Sequence, residues 1–213
     1  MAYSDGYDSP NGVQRPLPQA GPQKSLQQMP TAIKLLVAGG FGVGKTTFVG
    51  SASEIEPLST EETITAASIG TDDMTGLGQK ETTTVALDFG RITLDADHIL
   101  YLFGTPGQDR FWPMWNELAE GAFGAVVLAD TRRLADCFPA LDFFEDRGLS
   151  FTVAVNEFDN SYRYTVEEVR EALDLKPDTP IIRCDARDQR SATLVLVTLT
   201  KHLMTLAPKT VLD

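Results

Sequence analysis

Short apolar runs recur along the chain from residue 32 onward and are separated by longer segments of mixed polarity. Ile33–Ala38 is the first of these runs and has the length and composition of a buried strand. The alternation of such strands with helical segments predicts a doubly wound α/β domain. Strands are predicted at about 33–38, 84–94, 98–104, 123–130, 150–156 and 180–184. Helices are predicted at about 45–52, 110–120, 134–147, 165–174 and 189–206.

Local signals fix two details of this arrangement. The stretch Arg91–Asp97 has the composition of a hairpin turn, so the second and third strands are predicted to be antiparallel neighbours. Thr165 and Glu168 have the spacing of a capping box at the start of the fourth helix. The prediction is therefore a six-stranded, mostly parallel sheet with one antiparallel strand and about five helices.

The domain organisation follows from changes in composition. Residues 1–31 hold five of the twelve prolines and few large apolar groups, which predicts a disordered tail. One domain is predicted at 32–208, and residues 209–213 form a short C-terminal tail. Residues 53–83 are rich in Thr, Ser, Gly and acids and are expected to be an irregular loop. A loop of that length is uncommon unless it has a function, so we expect it to sense a bound nucleotide.

Charge and composition exclude several classes of partner. The net charge of −12 argues against nucleic acid and against anionic membrane surfaces, because both attract positive patches. No apolar stretch approaches the roughly 20 residues that span a bilayer, so direct membrane insertion is not expected. Cys137 and Cys184 are too few for a disulfide framework. A cytoplasmic protein is expected, with any recruitment to the inner face of the membrane depending on partners.

The most informative motif is a complete G-x-x-x-x-G-K-[ST] phosphate-binding loop directly after the first strand. Its glycines allow backbone N–H groups to converge on a phosphate, and the following helix adds positive potential. Lys45 is predicted to reach the β- and γ-phosphates, and the Thr46 hydroxyl to bind Mg²⁺. The predicted nucleotide contacts of this segment are Gly39, Gly40, Phe41, Gly42, Val43, Gly44, Lys45, Thr46 and Thr47.

Two later segments are candidates for sensing and attacking a γ-phosphate. Thr84, at the start of the second strand, is predicted as a second Mg²⁺ ligand, with its neighbours Thr82 and Thr83 as alternatives. Gly107 can bring its N–H against a γ-phosphate because no Cβ intervenes. Gln108 is predicted to orient the attacking water, which is the role of glutamine in GTP hydrolysis.

The ends of the fifth and sixth strands carry candidate base contacts. The Asp159 carboxylate can accept hydrogen bonds from both N1–H and the 2-amino group of guanine, a pair of donors that adenine lacks. Asn156 is predicted to support the phosphate loop and the base edge. Ala186 could present its N–H to guanine O6, and Arg187 could cover the ring, although a plain strand-to-helix loop explains this segment nearly as well.

With these five motifs in order, residues 33–206 resemble the Ras-like small GTPases, which are P-loop NTPases. The segments 83–92, 102–112, 129–134, 153–159 and 184–187 resemble most closely the bacterial conservon-type GTPases (the CvnD group), distant relatives of the motility switch MglA. The resemblance implies binding of GTP and GDP with Mg²⁺ and slow GTP hydrolysis. It also implies two partners, a Roadblock/LC7-domain regulator and a sensor-kinase-like membrane protein.

The chain departs from the small-GTPase pattern in three respects. Gly104 stands where an aspartate usually holds the hydration shell of Mg²⁺, and Asp88, Asp109 or water could replace that carboxylate. Glu157 stands where a lysine usually covers the guanine. No Arg or Lys occurs between Lys45 and Lys80, so an internal arginine finger would have to be Arg110 or one of the surface residues 132 and 133.

These departures keep two other function classes open. A pseudo-GTPase would bind nucleotide with little or no hydrolysis, and a small ATP-using kinase would require Asp159 to lie away from the base. The aromatic segment Phe111–Trp115 next to Gln108 could form an interaction surface or could pack as core.

Overall fold

The computed structural model describes residues 29–56, 58–65, 82–107, 112–159 and 161–206, with the backbone alone for 58–65, 82–86 and 112–113. Its strands are β1 (Thr31–Ala38), β2 (Leu58–Thr65), β3 (Thr82–Thr93), β4 (His98–Gly104), β5 (Gly124–Ala129), β6 (Phe151–Asn156) and β7 (Ile181–Cys184). Its helices are α1 (Lys45–Ala52), α2 (Trp112–Ala119), α3 (Phe138–Asp146), α4 (Val166–Ala172) and α5 (Gln189–Leu206).

The strands form one sheet in the order β2-β3-β4-β1-β5-β6-β7. Strand β3 is antiparallel to both of its neighbours, whereas β1 pairs in parallel with β4 and β5, and β6 pairs in parallel with β5 and β7. The predicted fold class is confirmed: all six predicted strands are present, and the sheet is mostly parallel with one antiparallel strand. The predicted hairpin between β3 and β4 is also confirmed.

The sheet has a seventh strand that the sequence does not predict. Strand β2 lies at the sheet edge, within the stretch 53–83 that was expected to be irregular, and pairs with β3 from Leu58↔Phe89 to Thr65↔Thr82. Its sequence, LSTEETIT, is mostly polar and lacks the apolar run by which the other strands are recognised. An edge strand gains its backbone hydrogen bonds from one neighbour and needs no apolar face on both sides, so periodicity alone misses it.

Helices cover both faces of the sheet and bury two separate layers of apolar side chains. Helices α1 and α5 pack on one face, where Phe48 and Leu199 are fully buried. The other face is covered by α2, α3 and α4, with Phe144 at its centre. In the described part of the chain, no helix combines the length and the apolar character that crossing a membrane requires.

Helix boundaries agree with their sequence signals. The predicted capping box at α4 is confirmed, because Thr165 Oγ1 accepts from the Glu168 N–H at 3.2 Å and the Glu168 carboxylate accepts from the Thr165 N–H at 2.7 Å. The predicted helix at 134–147 is a 3₁₀ turn (Leu134–Cys137) that continues into α3. Most of the predicted N-terminal tail and all of the C-terminal tail lie outside the described residues.

Candidate nucleotide-binding site

Most of the predicted site residues that the structure describes lie in loops at one edge of the sheet. The loops that follow β1, β4, β6 and β7 all leave the carboxyl ends of parallel strands, which is where ligands bind in open α/β sheets. An open cavity of about 350 Å³ lies there, lined by residues of the phosphate loop, Asp88 and residues 105–107. We call the part of this cavity around Thr46, Asp88 and Thr105 the metal side. We call the neighbouring group of Asn156, Asp159 and Arg187, which lies outside the cavity lining, the base side.

The phosphate loop is shaped for anion binding by its glycines. Gly44 has φ of 103°, and a Cβ at this position would lie 2.7 Å from Asn156 Nδ2, so only glycine fits. Among the described residues no side chain caps the start of α1. The first N–H groups of α1 therefore remain available to a phosphate.

The Lys45 side chain folds back onto the phosphate loop, which it would help to bind a phosphate. Its ammonium group donates to the carbonyls of Gly39 (2.9 Å) and Gly40 (2.8 Å), and the residue is 9% exposed. Burial lowers the pKa of Lys45 to about 8, and the negative charge of Asp88 offsets part of this effect. A bound polyphosphate would favour the charged form in the same way.

Gly107 approaches Lys45 closely from the loop after β4. A Cβ on Gly107 would lie 2.6 Å from Lys45 Nζ and 3.2 Å from Phe41 Cα, so a side chain at 107 would have to displace the lysine. The backbone N–H of Gly107 therefore belongs to a loop that lies next to Lys45. Gln108, the predicted water-orienting residue, lies outside the described residues, as do Asp109 and Arg110.

The remaining residues of the loop differ in exposure. Val43 is buried in the core, whereas Thr47 is exposed and Phe41 is 64% exposed. The carbonyl of Phe41 accepts a hydrogen bond from Arg133 Nη2 at 2.6 Å. Arg133, which the sequence suggests is a free surface charge, is therefore attached to the phosphate loop.

The metal side contains oxygen atoms suited to Mg²⁺, which prefers hydroxyl, carboxylate and water ligands. Thr46 Oγ1 donates to Asp88 Oδ2 at 2.7 Å, and Asp88 is 8% exposed. Thr105 is 2% exposed, and its hydroxyl has no hydrogen-bond partner among the described residues. These groups fit a hydrated Mg²⁺ ion, with Thr46 as the motif's own ligand. Thr84, the predicted second ligand, is described by its backbone, which pairs with Thr63.

Asn156 connects the base side with the phosphate loop. It is 5% exposed; its Nδ2 donates to the carbonyl of Val43 at 2.9 Å, and its Oδ1 accepts from the backbone N–H of Ala186 at 3.0 Å. The first contact is the support of the phosphate loop that the sequence predicts. The second uses the single N–H of Ala186, so the predicted donation from Ala186 to guanine O6 would have to share this hydrogen.

Arg187 lies against the carboxylate predicted to read the base. Its Nη1 and Nη2 donate to the two oxygens of Asp159 at 3.1 and 3.3 Å, and its Nη2 also contacts Asp185 at 2.9 Å. These bonds hold the pKa of Asp159 below its usual range. The sequence predicts Arg187 over the face of the base. In the structure its guanidinium instead binds Asp159, the carboxylate that is predicted to contact the edge of the base.

The surrounding charged residues are paired. Arg132 binds Asp130 with two short contacts, Nε–Oδ1 at 2.9 Å and Nη2–Oδ2 at 2.7 Å, and lies 3.9 Å from the ring centre of Phe158. Glu157, the residue in place of the usual lysine, lies 3.5 Å from Arg163. Arg132 is thus exposed at the surface, as expected, with 48% of its side chain accessible, and it is also held by Asp130 and the aromatic ring.

Trp115, in the aromatic segment Phe111–Trp115, packs in the core. It is 3% exposed and packs edge-to-face on Phe143, and its indole N–H donates to the carbonyl of Pro106 at 3.2 Å. Trp115 is therefore a core residue that supports the loop between Gly104 and Gly107. The side chain of Trp112 lies outside the described part of the chain.

The sequence did not single out Thr105. It lies between the missing aspartate at Gly104 and the predicted γ-phosphate contact at Gly107, so its place in the motif was a signal that could have been used. Asp88 was among three open alternatives, and the strand register places it opposite Gly104, whereas Asp109 lies outside the described residues.

Solved structures with similar folds are G domains. The FeoB G-domain from Methanococcus jannaschii superposes with a TM-score of 0.56, covers 82% of this chain and 99% of that chain, and is 10% identical. The cytosolic domain of the FeoB iron transporter from T. maritima, in apo form, gives a TM-score of 0.57 over 81% of this chain and 64% of that chain at 13% identity. At these identities the similarity concerns the fold alone.

A comparison with curated proteins gave no match. The family model described as conserved hypothetical ATP binding protein matches residues 37–206, which include the phosphate loop, both sides of the site and all five helices. This match agrees with a P-loop NTPase of G-domain fold that binds a nucleotide. The chain therefore belongs to the family of conserved hypothetical ATP binding proteins.

Proposed function

We propose that this chain binds guanine nucleotides with Mg²⁺ and hydrolyses GTP slowly, as a molecular switch in a bacterial signalling system. The observation that carries the choice of guanine is the pairing of Asp159 with Arg187. Both oxygens of the carboxylate accept from two adjacent N–H donors, at 3.1 and 3.3 Å. The Watson–Crick edge of guanine presents a similar pair, N1–H and the 2-amino group. Adenine has no such pair.

The phosphate end supplies the groups that hydrolysis needs. The N–H groups at the start of α1 and the Lys45 ammonium group would bind the β- and γ-phosphates. Thr46 and Thr84 would hold Mg²⁺, which would neutralise charge on the phosphates. Gln108 directly follows Gly107 in the chain and would orient the attacking water.

Slow turnover follows from the state of the nearby arginines. Arg132 is bound to Asp130 and Arg133 to the carbonyl of Phe41, so each must break a contact before it could stabilise a transition state. An arginine finger is worth roughly 10³–10⁵ in rate. We propose that a Roadblock/LC7-domain partner supplies or positions this charge and that a sensor-kinase-like membrane protein recruits the switch. Both partners rest on the resemblance to conservon-type GTPases.

ATP is the second candidate ligand, because the family description names it. Calorimetry of the purified full chain with GTP, GDP and ATP, each with and without Mg²⁺, decides between the two bases. We expect GTP and GDP to bind and ATP to bind at least about 100-fold more weakly, since two hydrogen bonds to a charged group are at stake. Tighter binding of ATP than of GTP would overturn the proposal.

A substitution at the base tests the same point independently. Asp159→Asn should weaken GTP binding about 100-fold and favour xanthosine triphosphate, because xanthine replaces the 2-amino donor with an acceptor. Asp185→Asn is the matched control, since Asp185 binds the same Arg187 and is not assigned to the base. Unchanged GTP affinity in Asp159→Asn would remove this residue from the base site.

The pseudo-GTPase remains the alternative in which nucleotide binds without turnover, and Gly104 is the observation that favours it. Single-turnover hydrolysis of bound GTP, measured with and without the Roadblock partner, separates the two functions. We expect slow hydrolysis that the partner accelerates. Bound GTP that stays intact under both conditions would show a binding module instead of a switch cycle.

A further inference from the structure

The metal side lacks a carboxylate in the chain position where small GTPases usually have one, yet a carboxylate is present in the same space. Gly104 ends β4, and its register partner on the neighbouring strand β3 is Asp88. A Cβ on Gly104 would lie 3.0 Å from both Asp88 Cβ and Asp88 Oδ2. A side chain at 104 would therefore crowd Asp88, which would have to shift by a few tenths of an ångström to make room.

Asp88 is directly connected to the residue expected to bind the metal. Its Oδ2 accepts the hydroxyl proton of Thr46 at 2.7 Å. A hydroxyl has one proton and two lone pairs, so Thr46 can donate to Asp88 and at the same time offer a lone pair to a cation. Such partners orient metal ligands and increase their basicity.

A second, independent observation indicates a polar ligand at this place. The Thr105 hydroxyl is buried and has no hydrogen-bond partner among the residues that the structure describes. A buried polar atom of this kind is uncommon in native proteins, because it loses its hydration without compensation. Thr105 and Asp88 line the same cavity as Lys45 and Thr46. Mg²⁺ usually keeps several of its waters, and one of these could satisfy the Thr105 hydroxyl.

We propose that Asp88 is the carboxylate that positions Thr46 and the hydration shell of Mg²⁺, and that it acts from β3 in place of an acid at 104. The carboxylate would thus come from β3 instead of β4 and still lie in the same part of the site. This inference rests on the proposed binding of a Mg²⁺–nucleotide complex and assigns Asp88 a positioning role within it.

The test measures how Mg²⁺ slows the release of a fluorescent GDP analogue from the full chain. In wild type, release should be fast in EDTA and slow as Mg²⁺ is added. Asp88→Asn keeps the shape and one acceptor oxygen but removes the charge. We expect it to need 10- to 100-fold more Mg²⁺ for the same slowing, the usual effect of losing such a partner, with unchanged release in EDTA.

A charge relocation provides the matched rescue. Gly104→Asp alone should interfere with Asp88, whereas the double variant Asp88→Gly with Gly104→Asp should restore most of the Mg²⁺ response. Glu54→Gln is the control, because Glu54 is an acid bound to the far end of the same hairpin, at Thr93. It should respond to Mg²⁺ like wild type. Thermal unfolding by circular dichroism shows whether the double variant folds, and Asp88→Asn decides the question alone if it does not.

Each outcome separates this inference from the proposed function. If Asp88→Asn binds the GDP analogue and responds to Mg²⁺ like wild type, Asp88 has no role at the metal although the nucleotide site stands. A folded double variant that stays insensitive to Mg²⁺ would contradict the exchange between strands. If wild type binds no guanine nucleotide either with or without Mg²⁺, the proposed function fails and this inference fails with it.

Discussion

The base side and the metal side of the site are built in opposite ways. On the base side, Asn156 and Asp159 occupy the sequence positions that the small-GTPase pattern assigns to them, but Arg187 is bound to Asp159, the carboxylate predicted to read the base. On the metal side the pattern is broken at Gly104, but Asp88 brings a carboxylate to the same space from the adjacent strand. A motif that matches the pattern in sequence can thus have its key side chain bound to another residue of the protein. Where a motif lacks a residue in sequence, a neighbouring strand can place the same chemical group nearby.

Asn156 offers the largest test of this contrast, because it contacts both the base side and the phosphate loop. Asn156→Ala leaves the Val43 carbonyl and the Ala186 N–H without their partner, and both residues are buried. We expect a loss of about 2–4 kcal/mol in the free energy of unfolding, measured by urea titration, together with weaker GTP binding.

The control for this variant is Asn116→Ala, since Asn116 is exposed on α2. It should change the free energy of unfolding by less than about 0.5 kcal/mol. If Asn156→Ala were as stable as this control, the hydrogen bonds of Asn156 to Val43 and Ala186 would contribute nothing measurable to stability.

Arg187 gives a smaller effect, and its sign is informative. If its guanidinium competes with guanine for Asp159, Arg187→Ala should tighten GTP binding by up to about fivefold at low salt, since an exposed ion pair is worth about 1 kcal/mol at most. Calorimetry at two salt concentrations measures this, and the gain should shrink as salt screens the pair. Arg163→Ala, which removes the ion pair with Glu157 instead, is the control. Weaker GTP binding in Arg187→Ala would mean that the arginine turns onto the face of the bound base.

The smallest expected effect on stability is that of Glu54, whose carboxylate links the segment after α1 to β3. Its carboxylate accepts from the N–H and hydroxyl of Thr93 and from Arg91, and these bonds lower its pKa to about 2. Because the folded-state pKa is below the unfolded value, this stabilisation is complete above about pH 4.5 and is lost as the pH falls toward 2.

Glu54→Gln should therefore unfold at slightly lower urea concentration than wild type at pH 7, and the two proteins should converge as the pH falls to about 2. The comparison is made as a difference between the proteins, since other carboxylates titrate in the same range. A constant difference at all pH values would assign the effect to packing instead of ionisation.

The sequence was sufficient for the parts of the molecule that depend on neighbours along the chain. Six strands, the capping box of α4 and the phosphate loop are each specified by residues close to one another in sequence. Strand β2 was missed because its residues are mostly polar and its partners on β3 lie 17 to 31 residues further along the chain, from Thr65↔Thr82 to Leu58↔Phe89. The stability of β2 depends on its pairing with β3 and not on an apolar pattern in its own sequence.

The two surprises at the site have the same origin. The sequence could suggest Asp88 only as one of three possibilities, because the pairing of Asp88 with Gly104 is set by the register of β3 against β4. The contact of Arg187 with Asp159 joins two loops that follow different strands. In both cases the decisive distance lies across the sheet and not along the chain.

The hydrogen bond from Trp115 to Pro106 has a practical consequence. The chain contains two tryptophans, and one of them donates its indole N–H to the loop that runs from Gly104 to Gly107. Indole emission depends on the polarity and hydrogen bonding around the ring, so a movement of that loop on nucleotide exchange would change the colour or yield of the protein's own fluorescence. With Trp112 replaced by Phe, the protein would carry a single built-in optical probe, and its conformational cycle could be followed in real time without a label.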